Sequence, residues 1–376
     1  MFGPDVRTLS ATGHPAVDTP ALKRALDQLS YPSAAEPYDW RTGTLLLHHG
    51  DCPEGFRIDA PLSINSYDTC TQLSPPRVIG LGHVRIRYAG AETDAPVLSV
   101  FGRPAGGRAV APLLENLFFN CARRCRGPLL HNQVYRPLAR DCLCYASREI
   151  GWDLVDCWGG SLQNVHAISV DGIALRAHRF NSGRIDGLRA SNLDAAQWPG
   201  EHDTSVLDAA GNPVQTSPEQ RALLVIQGND NQITQTILEN CRGAMPLLHY
   251  RGFVARFAGI RLEDNDLGGP TFVVDGRARR DGHHVTFSFI RGHDQESQGP
   301  GGKLPPFLLR GDTRAVRIAD CELFGYRNAI VRVEGGRHCD LTLERIETEA
   351  DEIPKHAWIA SDDAHLITTE GNDDVT

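Results

Sequence analysis

Methionine is almost absent from this chain, with 2 in 376 residues. A core with so few flexible fillers is specified by branched and aromatic side chains. Positive charge is also short. Lys+Arg total 38 against 47 Asp+Glu, a formal net charge of −9. That balance disfavours broad nucleic-acid binding, which needs a basic face to release counterions. No apolar run approaches the roughly 20 residues that span a bilayer, so no membrane span is expected. The opening, Met1 to Ser10, has no basic stretch followed by an apolar one and does not read as a secretory signal. A chain whose signal had been removed would look the same, so location stays open between the cell exterior, a virion surface and the cytoplasm.

Glycine and proline, by contrast, number 37 and 23, and many turns suit a β-rich protein. The ten cysteines are even in number, but a chain of this length does not need disulfide staples. Cys142, Cys144 and Cys321 are expected to be reduced core or turn residues. Cys121/Cys125 and Cys142/Cys144 have no following pair at zinc-finger spacing, so neither metal nor cofactor is expected.

Short apolar alternations recur along the chain. They start at Leu117, Cys142, Val165, Leu188, Thr236, Ile260, Phe287, Val316 and Leu341. Most steps fall near 24 residues. The long step from Leu188 to Thr236 reads as one repeat with an insertion at about 195–220, a polar stretch rich in Gly and Pro. The first and third positions of each segment are apolar, Thr236 excepted. The second and fourth mix Arg, His, Glu, Ser and Asn, which is period-2 alternation with one buried face. The spacing leaves room for about three strands and three turns per repeat. Leucine-rich repeats need a fixed Leu/Asn signature that is absent, and propeller blades run longer. A parallel β-helix fits, since stacked coils supply both the hydrogen bonds and the core. The expected organisation is a segment 1–39 with a capping helix, a β-helix over 40–350, and an acidic tail or cap over 351–376. Pro20–Leu29 reads as the helix, with Thr19 as N-cap and Pro20 in the first helical position.

Four pieces of the opening form a familiar set: Asp18-Thr-Pro-Ala-Leu-Lys-Arg-Ala-Leu26, Gly43-Thr-Leu-Leu-Leu47, Pro61-Leu-Ser-Ile64 and Ile79-Gly-Leu-Gly82. Together they resemble the start of pectate-lyase-like right-handed parallel β-helix proteins, a group that includes phage tailspikes and many polysaccharide-degrading enzymes. The segment His48-His-Gly-Asp-Cys52 departs from the usual pattern there. The resemblance implies an all-β, single-stranded right-handed parallel β-helix and a polysaccharide or oligosaccharide partner. The implied activity is that of a hydrolase or a lyase. The alternatives are a non-catalytic glycan-binding or spike module and an intracellular oligosaccharide-processing enzyme. One fold hosts many chemistries, so the residues must decide.

The repeat register stacks Glu239 on Glu263, with Arg189 and Arg261 two residues earlier on the same outer face. Stacked strands lie ~4.8 Å apart, near the carboxyl separation of about 5–5.5 Å in retaining glycosidases. Glu239 and Glu263 are therefore the candidate catalytic pair, with Arg189 and Arg261 as substrate or charge partners. The bland alternative is an outer ladder of ion pairs. Trp152, Trp158 and Trp198 are candidate sugar platforms, Trp152 and Trp158 bracketing Asp153 and Asp156. Asp281, His283, His284, His293 and Asp294 form a weaker polar cluster. Outward apolar residues Phe118, Leu143, Ile168, Ile237 and Ile290 suggest a contact stripe for a homotrimer.

Overall fold

The computed structural model describes residues 5–29, 43–65, 77–101, 113–131, 137–194, 206–207, 213–214, 222–243, 246–267, 270–277, 282–293, 305–324, 329–335, 339–348, 359–361 and 366–370. Trp198, Asp281, Asp294 and Cys70 lie outside these residues.

Strand follows strand in a coil of parallel rungs, right-handed as parallel crossovers are. A typical rung has three straight segments. Ser161–Ile168 supplies the first two, with a bend in the middle, and Asp171–His178 supplies the third. Segments of the first and second kind form one 18-stranded sheet, the first sheet. Those of the third kind form an 11-stranded second sheet. Arg189–Ser191 pairs directly with Ile237–Glu239, so the 48-residue step is one rung. Within it, Val206–Leu207 and Pro213–Val214 pair antiparallel as a small ribbon.

The bends are made by backbone in the left-handed region. Between the two halves of the first sheet stand Asn116, Asp141, Asn164, Gly187, Gln235, Gly259, Phe289, Asp320 and Arg345, all at positive φ. Left-handed backbone costs an ordinary residue roughly 1–2 kcal/mol, and Asn, Asp and Gly tolerate it best. Side-chain amides tie the corners together. Asn164 donates to Asp141 at 2.6 Å, and Asn240 donates to Asn192 at 2.5 Å.

Alternation about these bends fills the interior. Leu45, Val78, Leu114, Ala139, Leu162, Ile185, Ile233, Phe257, Phe287, Ile318 and Leu343 are rung neighbours in unbroken register. Towards the C-terminal end the filling turns aromatic. Phe257 stacks on Phe287 and Phe272 on Phe307, with centroids 4.8 and 5.0 Å apart.

The expected register holds from Leu117 to Ile260 and then slips. Arg261 pairs with Arg291, so Ile290 is the rung neighbour of Ile260, while Phe287 belongs to the other half and stacks on Phe257. Phe287 in turn pairs with Ile318 rather than Val316. Both halves alternate alike, and only the bend residue tells them apart. Here that residue is Phe289, at φ 55° and 58% exposed. The same slip corrects the contact stripe, because Ile290 points inward and is fully buried.

The N-terminal helix spans Pro15–Leu29, five residues longer than expected. Pro15, not Pro20, takes the first helical position, and Val17 and Asp18 donate to the His14 carbonyl. Thr19 is therefore no N-cap. It sits inside the helix and exchanges hydrogen bonds with Asp59. The buried Asp18 carboxylate accepts from Thr12 N, Thr12 Oγ1, Gly13 N and Arg57 N at 2.8–3.0 Å. These bonds latch the helix to the first coil, where Leu22, Leu26 and Leu29 bury their side chains.

Candidate functional site

Residues on the second sheet alternate like those on the first. Ile150, Trp152 and Leu154 point inward, so Glu149, Asp153 and Val155 point outward. An outward residue ordinarily meets water, yet all six are buried. The same holds one rung on, at Arg176 and His178, and further along at His249, Val273, Asp275 and Leu308. The outer face of this sheet therefore carries ionisable groups in a desolvated setting.

These groups pair in sequence along the coil. Arg126 donates through Nε to Glu149 at 2.9 Å. Arg176 holds Asp153 with two bonds, at 3.0 and 2.7 Å. Asp156 accepts from Arg179 at 2.5 Å and lies 3.7 Å from His131 Nε2. Burial pulls the Arg126 guanidinium below its usual range, and Glu149 only partly restores it. Burial also lowers the His178 pKa, and Arg179 lowers it further.

The most chemically suggestive group is His249 with Asp275 and Arg277. Asp275 is buried, which alone would raise its pKa. The hydrogen bonds from Arg277 outweigh burial and hold the carboxyl well below the usual range. Arg277 bonds both carboxylate oxygens, at 2.9 and 2.6 Å. His249 is 2% exposed, and its Nε2 lies 3.4 Å from Asp275 Oδ2. Neither of its ring nitrogens makes a hydrogen bond of good geometry, and His178 Nδ1 has no partner either. An ionised carboxylate facing Nε2 favours the proton there and leaves the lone pair on Nδ1. Such an imidazole can take a proton from a bound molecule. No group of three or more His, Cys, Asp or Glu among the described residues is arranged to hold a metal.

The expected site residues distribute differently. Glu239 and Glu263 are direct rung neighbours, and Leu238 and Leu262 beside them are fully buried. Both carboxylates are ion-paired on the open face of the first sheet. Arg189 bonds both oxygens of Glu239, at 2.8 and 3.0 Å, and Arg261 contacts Glu263.

Trp152 must be corrected as a sugar platform, because it is wholly buried. Its rung neighbour on the second sheet is Leu175, also buried. Trp152 occupies the interior edge-on to Phe119, and its Nε1 donates to the His166 carbonyl at 2.9 Å. Trp158 is 50% exposed and remains available. The sequence reading passed over His249 and Asp275. Their signal was a polar residue on the outward side of an apolar strand, as in Leu248-His-Tyr-Arg251 and Phe272-Val-Val-Asp275.

No protein-family model and no curated protein sequence matches this chain. Solved structures do. The A-module of mannuronan C-5 epimerase AlgE4 from Azotobacter vinelandii aligns over 96% of this chain and 98% of its own, with 11% identity and a TM-score of 0.52. The ORF18 protein of Geobacillus virus E2 aligns over 96% of this chain, with 12% identity and a TM-score of 0.49, and this chain spans only 61% of it. At such identities the likeness speaks to fold alone. Stacked parallel rungs, a latched N-terminal helix and the likeness to the AlgE4 A-module together show a parallel β-helix fold.

Proposed function

We propose that the protein binds and cleaves an acidic polysaccharide on the outer face of its second sheet, with His249 as the proton-abstracting base. One observation carries this reading: the His249 imidazole is buried on an outward sheet face with both ring nitrogens short of a hydrogen-bond partner. A buried polar atom left unsatisfied costs about 1–3 kcal/mol, so it points to a ligand. Guanidinium groups on the same face suit a uronate carboxylate, which they bind in bidentate fashion.

The reaction class that uses these parts is β-elimination. The base takes the proton beside the uronate carboxylate. Its electron pair forms the ring double bond, the glycosidic C–O bond breaks, and the leaving oxygen takes up a proton. The charge gathered on the carboxylate in the transition state is met by Arg251 and Arg277. Asp275, held ionised by Arg277, orients the imidazole.

The test is a panel of acidic and neutral polysaccharides, read by ultraviolet absorbance of unsaturated ends and by reducing ends. His249→Gln should lower turnover roughly a hundredfold or more with the fold intact. Normal turnover in that variant refutes the assignment.

A second reading keeps the chemistry at Glu239 and Glu263, favoured by their direct rung pairing on an open face. It makes the protein a glycoside hydrolase, with Arg189 and Arg261 as charge partners and Trp158 and Trp198 as platforms. Loss of turnover in Glu239→Gln and Glu263→Gln, with His249→Gln active, selects it. Binding without turnover selects the non-catalytic glycan-binding module. For assembly, we propose a homotrimer along the stripe Phe118, Leu143, Ile168 and Ile237. A monomer mass by light scattering at micromolar concentration removes it.

A further inference from the structure

Three of the cysteines meet in one corner of the coil, where the first sheet hands over to the second. Cys121 follows the strand Leu113–Asn120, and its N–H donates to the Tyr145 carbonyl of the next rung at 2.9 Å. Cys144 lies in that next rung, as the neighbour of Phe119. Cys125 lies four residues past Cys121, across a turn closed by Arg124 N on the Cys121 carbonyl at 2.9 Å. All three are free thiols and fully buried. Cys121 Sγ donates to the Arg126 carbonyl at 3.4 Å, and Cys125 Sγ turns back to the Cys121 carbonyl at 3.8 Å. Burial, with hydrogen bonds to the thiols of Cys125 and Cys144, holds the Cys121 pKa well above its ordinary value. Gly127 makes room for the third sulfur, since a Cβ there would stand 2.7 Å from Cys144 Sγ. Cys142, Cys241 and Cys321 are set differently, each giving its thiol to backbone carbonyls.

The turn above these thiols is strained. Ala122 and Arg123 follow one another at φ 53° and 59°, and neither residue type tolerates left-handed backbone well. Neighbouring groups hold it closed. Ala122 N donates to Asn120 Oδ1 at 3.0 Å, and Arg123 N donates to the Ala146 carbonyl at 2.6 Å. The Arg123 guanidinium pairs with Asp171, and Arg124 Nη1 donates to the Gly90 carbonyl at 3.0 Å. Arg123 and Arg124 are exposed while the cysteines on either side of them are buried. Opening these few residues therefore releases strain, frees two guanidinium groups and uncovers two thiols together. With the turn closed, burial keeps the thiols protonated and inert. With it open, the two arginines favour the thiolate, which is the reactive form, and attract an anionic reagent.

We propose that Cys121 and Cys125 are an oxidation site, closed into a disulfide by a small anionic disulfide of the glutathione type. One protein thiolate attacks the S–S bond of the oxidant, forming a mixed disulfide and releasing one glutathione. The second protein thiolate then displaces the other glutathione. The oxidant is reduced to two thiols, the two protein thiols are oxidised to one S–S bond, and no further reactant is needed. Cys125 is the partner because the turn folds it back under Cys121. Cys144 stands diagonally across the ladder from Cys121, about 8 Å away between Cα atoms, beyond the roughly 7 Å that a disulfide spans. It stays a thiol. The residue after Cys125 is Arg126, buried in its pair with Glu149, so the bond fastens the corner from which the second sheet's row of buried charges starts.

The experiment uses the full chain and does not depend on catalysis at His249. The protein is equilibrated at neutral pH with glutathione and glutathione disulfide over a range of ratios, denatured, alkylated and mapped by mass. Trypsin cuts after Arg123 and Arg124, between the two cysteines. A Cys121–Cys125 bond therefore leaves two peptides joined, which a reductant separates, while the Cys144 peptide is alkylated in full. Oxidation should also raise the urea midpoint of unfolding, by a small amount because the loop closed is short. Cys125→Ser should abolish both the joined peptides and the rise, and Cys144→Ser should keep both. The peptide map of the parent decides the pairing even where a variant does not fold. Full alkylation of Cys121 and Cys125 in the parent at every ratio overturns the proposal, as does a bond from Cys121 to Cys144.

Discussion

Arg176→Met should be among the most damaging single changes in this protein. Arg176 and Asp153 are each 4% exposed and joined by two hydrogen bonds on adjacent rungs. Methionine keeps most of the side-chain length and removes the charge. Asp153 then stays buried without the guanidinium that compensates it. Breaking a buried ion pair from one side costs about 3–5 kcal/mol, a large fraction of the total stability of most folds. Replacing both partners, as Asp153→Leu with Arg176→Met, should recover most of that loss, since apolar substitutes for a buried pair are often neutral. The assay is urea unfolding followed by tryptophan fluorescence, with midpoints compared at constant slope. Trp152 lies beside Asp153 in the same strand and reports on that rung. A cost below about 1 kcal/mol for the single variant would place the pair in the range of solvated surface bridges. It would refute the desolvated character of this face, and with it the setting argued for His249.

Phe287→Ala removes the ring that contacts Phe257, Phe272 and Phe307 at 4.8–5.3 Å, and should cost about 3–5 kcal/mol in the same unfolding assay. Thiol titration of the native protein should find Cys142, Cys241 and Cys321 unreactive, because burial pushes each up to about 12. Among the described cysteines the half-buried Cys52 should react first, and Cys52→Ala should abolish that phase. His178 and His166 both have their pKa lowered, mainly by burial. The folded state therefore binds fewer protons than the unfolded chain, whose histidines titrate near 6.5. Stability should accordingly fall as pH drops through about 6.5, and His178→Gln should flatten that slope between about pH 7 and 5.

Much of the fold was legible because a solenoid repeats its physics. Apolar alternation at a near-constant spacing marked six successive rungs correctly, from Leu117 to Ile260, and placed Leu238 and Leu262 inward. The reading slipped at Phe287 because both halves of the bent sheet bury alternate residues, and a phenylalanine at the bend hid the corner that Asn, Asp or Gly marks elsewhere. The helix start was missed for a related reason. Two prolines competed for the first helical position, and the bonds that choose Pro15 are donated to the Asp18 carboxylate by backbone N–H groups outside the helix, at Thr12 and Gly13. At the site, the pairing of Glu239 with Glu263 could be read from spacing alone. The desolvation of the second sheet's outer face could not, since an outward His or Asp in an apolar strand looks like any solvent-facing residue. Trp152 shows the converse: a tryptophan among carboxylates reads as exposed, yet its place in the strand alternation turns it inward, where it meets Phe119 and the His166 carbonyl.

The central claim is that an acidic glycan is bound and processed over His249. It is tested most directly by a crystal structure of His249→Gln soaked with a uronate oligosaccharide, the substitution serving to prevent turnover. Density is expected along the outer face of the second sheet, with a carboxylate on the guanidinium group of Arg251 or Arg277 and a sugar ring against residue 249. A sugar seated on Glu239 and Glu263 with that face empty would contradict it.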